Sequence, residues 1–153
     1  MAAVTVQSDA VKAGIMPDAN TPAGVVLSRT ETYTETAARD ANSVVEMIPI
    51  PKYAQILDIH VYIADSGAGR TCDIGDGGDT DRFFDGLDPS SAAIRKTLVA
   101  DGVPIAPYEY TADDTIDVKW LGDTLEEHLL QLTLNPSCLG CPKLLALSHT
   151  LSL

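Results

Sequence analysis

The sequence predicts an all-β fold, a single antiparallel β-sandwich or jelly roll of about eight to ten short strands with an extended N-terminal arm. Three observations carry this expectation. Apolar and polar residues alternate with period 2 over many short stretches. The 11 glycines and 9 prolines are spread along the chain, so turns recur too often for long helices. No segment repeats at a fixed period, which argues against a solenoid or propeller. At 153 residues and 45% apolar content, the chain is long enough for one domain with its own core.

The elements follow in order. Residues 1–24 are weakly patterned, with Gly14, Pro17, Asn20, Pro22 and Gly24 among small residues. They read as an arm or loop, with a short strand expected near residues 4–7. The sandwich domain is expected over residues 25–153. Residues 25–35 are rich in Val and Thr, with Thr30, Thr32 and Thr34 on one face, and residues 43–50 make a second strand closed by Pro49 and Pro51. Residues 55–65 carry the clearest alternation: Leu57, Ile59, Val61 and Ile63 share one face, and Asp58, His60 and Tyr62 the other.

A glycine-rich turn at 66–69 leads into a strand at 70–74, and the Gly- and Asp-dense stretch 73–81 is expected to be a tight, solvated loop. Residues 82–87 form a short strand or helical turn, and residues 91–98 are expected to form one short helix. Strands return at 104–111 and at 115–121, where Ile116, Val118 and Trp120 oppose Thr115, Asp117 and Lys119. Leu130, Leu132 and Leu134 mark another strand. Leu145, Leu147, His149, Leu151 and Leu153 carry strand patterning to the last residue.

Charge narrows the function classes. With 10 basic against 22 acidic residues the net charge is −12, which opposes binding to nucleic acid or to an anionic membrane surface. No apolar run approaches the roughly 18 residues of a membrane-spanning helix. The N-terminus lacks the basic and apolar regions of a signal peptide, so the odd set Cys72, Cys138 and Cys141 reads as reduced thiols.

Two constellations are candidates for chemistry. Asp73, Asp76, Asp79 and Asp81 can offer the oxygen ligands that Ca²⁺ requires, although the spacing is not that of an EF-hand; the alternative is a charged turn helped by Arg70 and Arg82. Cys138 and Cys141 form a C-x-x-C element that can contribute to a zinc site, but the other ligand candidates, Cys72, His60, His128 and His149, are isolated; the alternative is two thiols in a turn between strands. The chain has no G-x-S-x-G elbow, no H-E-x-x-H and no P-loop, so no enzyme activity and no cofactor are expected. Among eight aromatics, Trp120, Phe83, Phe84 and Tyr62 are expected in packing, and Tyr53, Tyr108 and Tyr110 at an interface.

One set of segments resembles a known class. Ile48-Pro49-Ile50-Pro51-Lys52-Tyr53-Ala54-Gln55-Ile56 leads into a long strand. It is followed by Cys72-Asp73-Ile74-Gly75-Asp76, by Asp79-Thr80-Asp81-Arg82-Phe83-Phe84, and later by Asp113-Asp114-Thr115-Ile116-Asp117-Val118. This order, over roughly residues 43–134, resembles the small β-sandwich structural proteins of tailed bacteriophage virions, including capsid decoration (cement) proteins. Residues 135–153, with the C-x-x-C element, and the N-terminal arm lie beyond it.

The resemblance implies a non-enzymatic virion protein, made in the host cytoplasm and placed on the outer capsid surface. It implies the major capsid protein as partner and a homo-oligomer, with a trimer favoured. Two alternatives stay open: a neck, tail or fibre component, and a carbohydrate-binding β-sandwich using calcium. The acidic turns at 73–88 and 113–114 are expected to mark the face turned outward.

Overall fold

The computed structural model describes residues 3–14, 28–35, 40–66, 69–103, 108–122 and 129–138, the last stretch by its backbone. Ten strands and one short helix follow in chain order: β1 (Thr5–Gln7), α1 (Asp9–Lys12), β2 (Arg29–Thr34), β3 (Val44–Ile50), β4 (Ala54–Ile63), β5 (Arg70–Asp76), β6 (Phe84–Leu87), β7 (Ile94–Thr97), β8 (Tyr108–Glu109), β9 (Asp114–Gly122) and β10 (Leu129–Cys138). They build two sheets. One runs β1-β3-β9-β5-β6; the other runs β2-β10-β4-β7, with β8 also pairing with β4. A single buried cluster draws Val45, Met47, Ile74, Val118 and Trp120 from the first sheet and Ile56, Ile59, Val61 and Ile63 from the second. The all-β sandwich expectation therefore holds. Alternating strands bury one face each, and the two apolar faces close on one another.

The pairing is antiparallel except at the first strand, where β1 runs parallel to β3, with Thr5 opposite Val44 and Gln7 opposite Glu46. This changes the picture of the N-terminal arm, because the described part of it is built into the first sheet. The Ser8 backbone N–H donates to the Glu46 carbonyl at 2.8 Å. Its hydroxyl donates to the Met47 carbonyl at 2.6 Å and accepts from the Val11 N–H at 3.3 Å, capping α1. Ser8 and Ala10 are both buried. Alternation alone does not reveal such a pairing, because backbone donors choose their partners in space.

Two bulges reset the side-chain phase. In β4, Asp58 faces Asn135 and Ile56 faces Pro136, so Leu57 has no partner across the ladder. Pro136 lies in a central strand without an N–H to give, and a bulge is one of the few places such a proline is tolerated. As a result Leu57, expected on the core face, is turned out and is 39% exposed, while Ile56 and Ile59 take the interior. In β3 the register slips between Glu46 and Ile48, and the extra residue, Met47, is turned into the core. Pro49 sits in β3 beyond the three residues that β1 covers, so its missing donor costs no pair on that side.

Three further expectations are corrected. Residues 91–98 do not form a helix: Ile94–Thr97 is β7, because it lies along the free edge of β4 and satisfies its backbone there, with Ile94 opposite Ile63 and Thr97 opposite His60. The strand marked by Leu130, Leu132 and Leu134 does not close at residue 134 but runs on as β10, with Cys138 opposite Ala54. Asp73 and Asp76 belong to β5 and are buried, so the start of the expected solvated loop is interior strand. The expected strand at 145–153 lies outside the described residues, as do residues 15–27 of the arm region.

The bulge makes a quantitative contrast. Ile59→Ala, in the core, is expected to cost about 2–5 kcal/mol in urea denaturation. Leu57→Ala, two residues earlier in the same strand, is expected to cost no more than about 0.5 kcal/mol. Equal losses would place Leu57 inside and refute the register.

Candidate functional site

The Asp-rich stretch folds back on the end of β5 and forms a closed polar node. Gly75 has no room for a side chain, since a Cβ there would collide with the Asp79 carbonyl, so only glycine lets the 77–82 loop lie across β5 at this point. The Asp76 carboxylate, 1% exposed, sits beneath that loop and accepts five hydrogen bonds. Oδ1 takes the backbone N–H groups of Gly78 at 3.0 Å and Asp79 at 2.9 Å, and Arg82 Nη2 at 3.3 Å. Oδ2 takes Arg82 Nε at 2.6 Å and the Tyr110 hydroxyl at 3.0 Å.

The guanidinium of Arg82 lies over the ring of Tyr108, 4.1 Å from its centroid. Tyr108 meets Tyr110 edge to face at 5.0 Å between centroids. The four side chains thus close a ring, from Asp76 to Arg82, Tyr108, Tyr110 and back. It joins β5 of the first sheet to the β8 segment of the second. The hydrogen bond to Asp76 raises the Arg82 pKa above its ordinary value. Burial first, and then the Asp76 charge, push that of Tyr110 up, so its hydroxyl stays a donor.

This geometry redistributes the residues singled out from sequence. Asp73 accepts the Gly86 N–H at 2.9 Å, where Gly86 takes a left-handed φ of +64° at the β5–β6 register shift. Asp79 reaches Arg82 at 3.9 Å, and Asp81 is exposed. Among the described residues, no group of three or more His, Cys, Asp or Glu is arranged to hold a metal ion. Cys138 ends β10, and Cys141, His128 and His149 lie outside the described residues. Cys72 is buried in the core, and burial, together with the neighbouring Asp73, raises its thiol pKa.

Of the three tyrosines expected at an interface, Tyr110 is instead 2% exposed, held inside by Asp76 and by backbone bonds to Ala54 and Tyr53. Tyr108 is half-buried under Arg82, and Tyr53 alone is largely exposed, in a left-handed turn at φ +68° with the Lys52 ammonium over its ring. Among the described residues the other exposed large apolar side chains are Val4, Leu57 and Val99. Sequence reading placed Asp76, Arg82, Tyr108 and Tyr110 in separate roles. The clue it held was an arginine six residues beyond an aspartate across a glycine-rich turn.

A residue that sequence reading treated only as strand polarity is Asp117. It lies on the outer face of β9, opposite Glu46 on β3 and Gly75 on β5. It is 6% exposed, and its Oδ1 has no hydrogen-bond partner among the described residues. Burial pushes its pKa up to about 7; the Thr115 hydroxyl opposes the shift, and Glu46, Asp114 and Asp76 add to it.

The fold has relatives among known structures. No family profile and no curated protein sequence matches the chain. A chain of the capsid of Ralstonia phage GP4 superposes with a TM-score of 0.71 at 17% identity, covering 88% of this chain and 97% of that one. A chain of the capsid asymmetric unit of cyanophage Pam1 gives 0.59 at 13% identity, covering 74% and 85%. The resemblance to small β-sandwich virion proteins thus extends to the fold as a whole.

Two outcomes test the site. Arg82→Ala leaves a buried carboxylate without its cation and is expected to cost about 3 kcal/mol in urea denaturation at neutral pH; a loss below about 0.5 kcal/mol would show that the ion pair is dispensable. For Asp117, the folded pKa lies above the ordinary value of 3.8, so the folded state keeps a proton that the unfolded state releases. Stability contributed by this group is therefore complete below about pH 4, falls as pH rises, and levels off above about 7. Asp117→Asn is expected to flatten that part of the profile, and an unchanged pH dependence would remove Asp117 from it.

Proposed function

We propose that this chain is a non-enzymatic structural component of a tailed-phage virion, and within it a decoration protein that binds the outer surface of the shell and holds neighbouring major capsid subunits together. The observation that carries the reading is the sharing of one sandwich, over nearly the whole length of both chains, with a component of a phage capsid. Two features of the molecule support it. The acidic side chains that looked most suited to chemistry are spent on holding the fold, since the Asp76 carboxylate is saturated by five donors from the protein itself. The net charge of −12 suits a protein kept apart from packaged nucleic acid, because it repels a polyanion.

A cementing role asks for rigid placement of contact residues and for no catalytic pocket. The bulge at Leu57 and the left-handed turn at Tyr53 present apolar and aromatic side chains outward from stiff positions. Tyr is favoured at protein contacts because it buries area with little loss of side-chain freedom. Self-association about a three-fold axis is part of the same proposal, since closed symmetric contacts suit repeated positions on a shell.

The test is copy number and consequence. In purified particles the chain is expected to scale with the number of shell subunits, and shells lacking it are expected to lose their contents at a lower temperature. A small fixed number at one vertex would move the chain to the neck, tail or a fibre. Unchanged heat resistance of shells without it would refute cementing.

A further inference from the structure

We propose that the open edge of β1, with the cleft beside it, is the docking site for residues 145–153 of a second copy of this chain, which add to the first sheet as an extra strand. β1 is the end strand of that sheet. The Val4 carbonyl accepts the Val44 N–H, and the Ser8 N–H donates to the Glu46 carbonyl. In a parallel ladder those two bonds turn the backbone groups of Val4, Val6 and Ser8 towards β3 and those of Thr5 and Gln7 away from it. Among the described residues, neither Thr5 nor Gln7 meets a backbone partner on that outer side. A strand edge left open in this way is a template for another extended chain.

The cleft defines what that chain must look like. It is about 870 Å³, with Thr5, Val6 and Gln7 on one wall and Thr32, Tyr33 and Thr34 of β2 on the other. β2 is itself the end strand of the second sheet. Val6 and Tyr33 are half-buried and pack against the core from this side. A strand added to β1 would lay every second side chain between the sheets, over Val6 and Tyr33, and leave the others outside with Thr5 and Gln7. Asp9 and Lys12, which also line the cleft, pair with each other at 3.6 Å, so the cleft calls for no charged ligand. The fitting segment is extended, apolar on one face, and small and polar on the other.

The sequence carries such a segment. In residues 145–153, Leu145, Leu147, Leu151 and Leu153 alternate with Ala146, Ser148, Thr150 and Ser152, and His149 is the one titratable side chain. A lone amphipathic strand is not stable in water and needs a sheet to join. The strand it follows cannot take it as a hairpin along Leu130–Leu134, because there β2 and β4 already hold both edges of β10.

The route into the cleft favours a second copy. β10 stops beside Ala54, the first residue of β4, and β2 begins towards that same end, with Arg29 opposite Leu134. Between Gly14 and Ser28 the chain passes from the wall of β1 and α1 to the wall of β2. A segment arriving from its own β10 would have to cross that connection, and connections at one edge of a fold avoid crossing. A neighbour's segment meets no such obstacle. That the added strand joins two copies rests on the self-association proposed above; the match between edge and segment does not.

The test uses the full chain and reads its mass by light scattering at micromolar concentration. Wild type is expected to associate; a single chain's mass would remove the self-association, and the exchange with it. Thr5→Pro takes a donor from the outer edge of β1 and leaves its bonds to β3 in place. Leu147→Lys combined with Leu151→Lys charges the apolar face of the segment. Each variant is expected to keep the circular dichroism of a folded sheet and to associate about tenfold or more weakly. Association of both variants equal to wild type would remove this edge from the contact while self-association stands. His149→p-benzoylphenylalanine then locates the segment without disturbing the edge. Light is expected to give a covalent product of two or more chains, linked to residues 3–12 or 29–34. A product of one chain's mass linked to those residues would show that the segment fills its own cleft, and links to other regions would show that it docks elsewhere; either overturns the exchange.

Discussion

The Asp76 carboxylate is the constraint on which most of this molecule depends. A charged group with 1% exposure is tolerated only when its hydrogen-bonding capacity is filled, and here two backbone amides, a guanidinium and a phenol fill it. The donors come from two places. The amides and the guanidinium come from the loop between β5 and β6, and the phenol from the segment after β8. To satisfy one carboxylate, the chain must bring the end of β5 in the first sheet and the β8 segment of the second to the same point. Gly75 makes this possible by yielding its side-chain volume to the returning loop. The node is thus a polar clasp at one end of an otherwise apolar sandwich. Its cost in desolvation is offset by the placement it imposes on the β5–β6 loop and on the segment after β8.

The same clasp decides which of three tyrosines are exposed. Tyr110 is consumed by it and Tyr108 is covered by Arg82, so of Tyr53, Tyr108 and Tyr110 only Tyr53 is largely exposed. The bulge in β4 works in the opposite direction, taking a leucine that alternation assigns to the core and presenting it outside. Bulges and left-handed turns place apolar side chains outside without spending core volume.

On the outer face of the first sheet the balance is different. Asp117 and Glu46 stand opposite each other across the strand pair, and the Thr115 hydroxyl opposes the rise in the Asp117 pKa. Where Asp76 was given a full complement of donors, Asp117 was left short of one. That difference, and not the total negative charge, sets these two buried acids apart.

The sequence by itself determined the fold class and much of the core. Period-2 alternation is a property of the strand backbone, so Ile59, Val61, Ile63, Ile116, Val118 and Trp120 could be placed inside before any pairing was known. Only the tertiary structure decided the rest, because each remaining feature is a relation between distant segments. The parallel pairing of β1 with β3 depends on an edge that exists only once β3 is paired with β9. The outward turn of Leu57 depends on a proline 79 positions later in the chain, at the register break opposite it. Ile94–Thr97 became a strand because β4 offered it a free edge. The Asp-rich stretch read as a solvated loop because aspartate and glycine favour turns locally. Its first acids are interior because an arginine and a tyrosine, 6 and 34 positions away, converge on Asp76. Local propensity cannot register donors that arrive from elsewhere, and it is those donors that turned a surface acid into the centre of the fold.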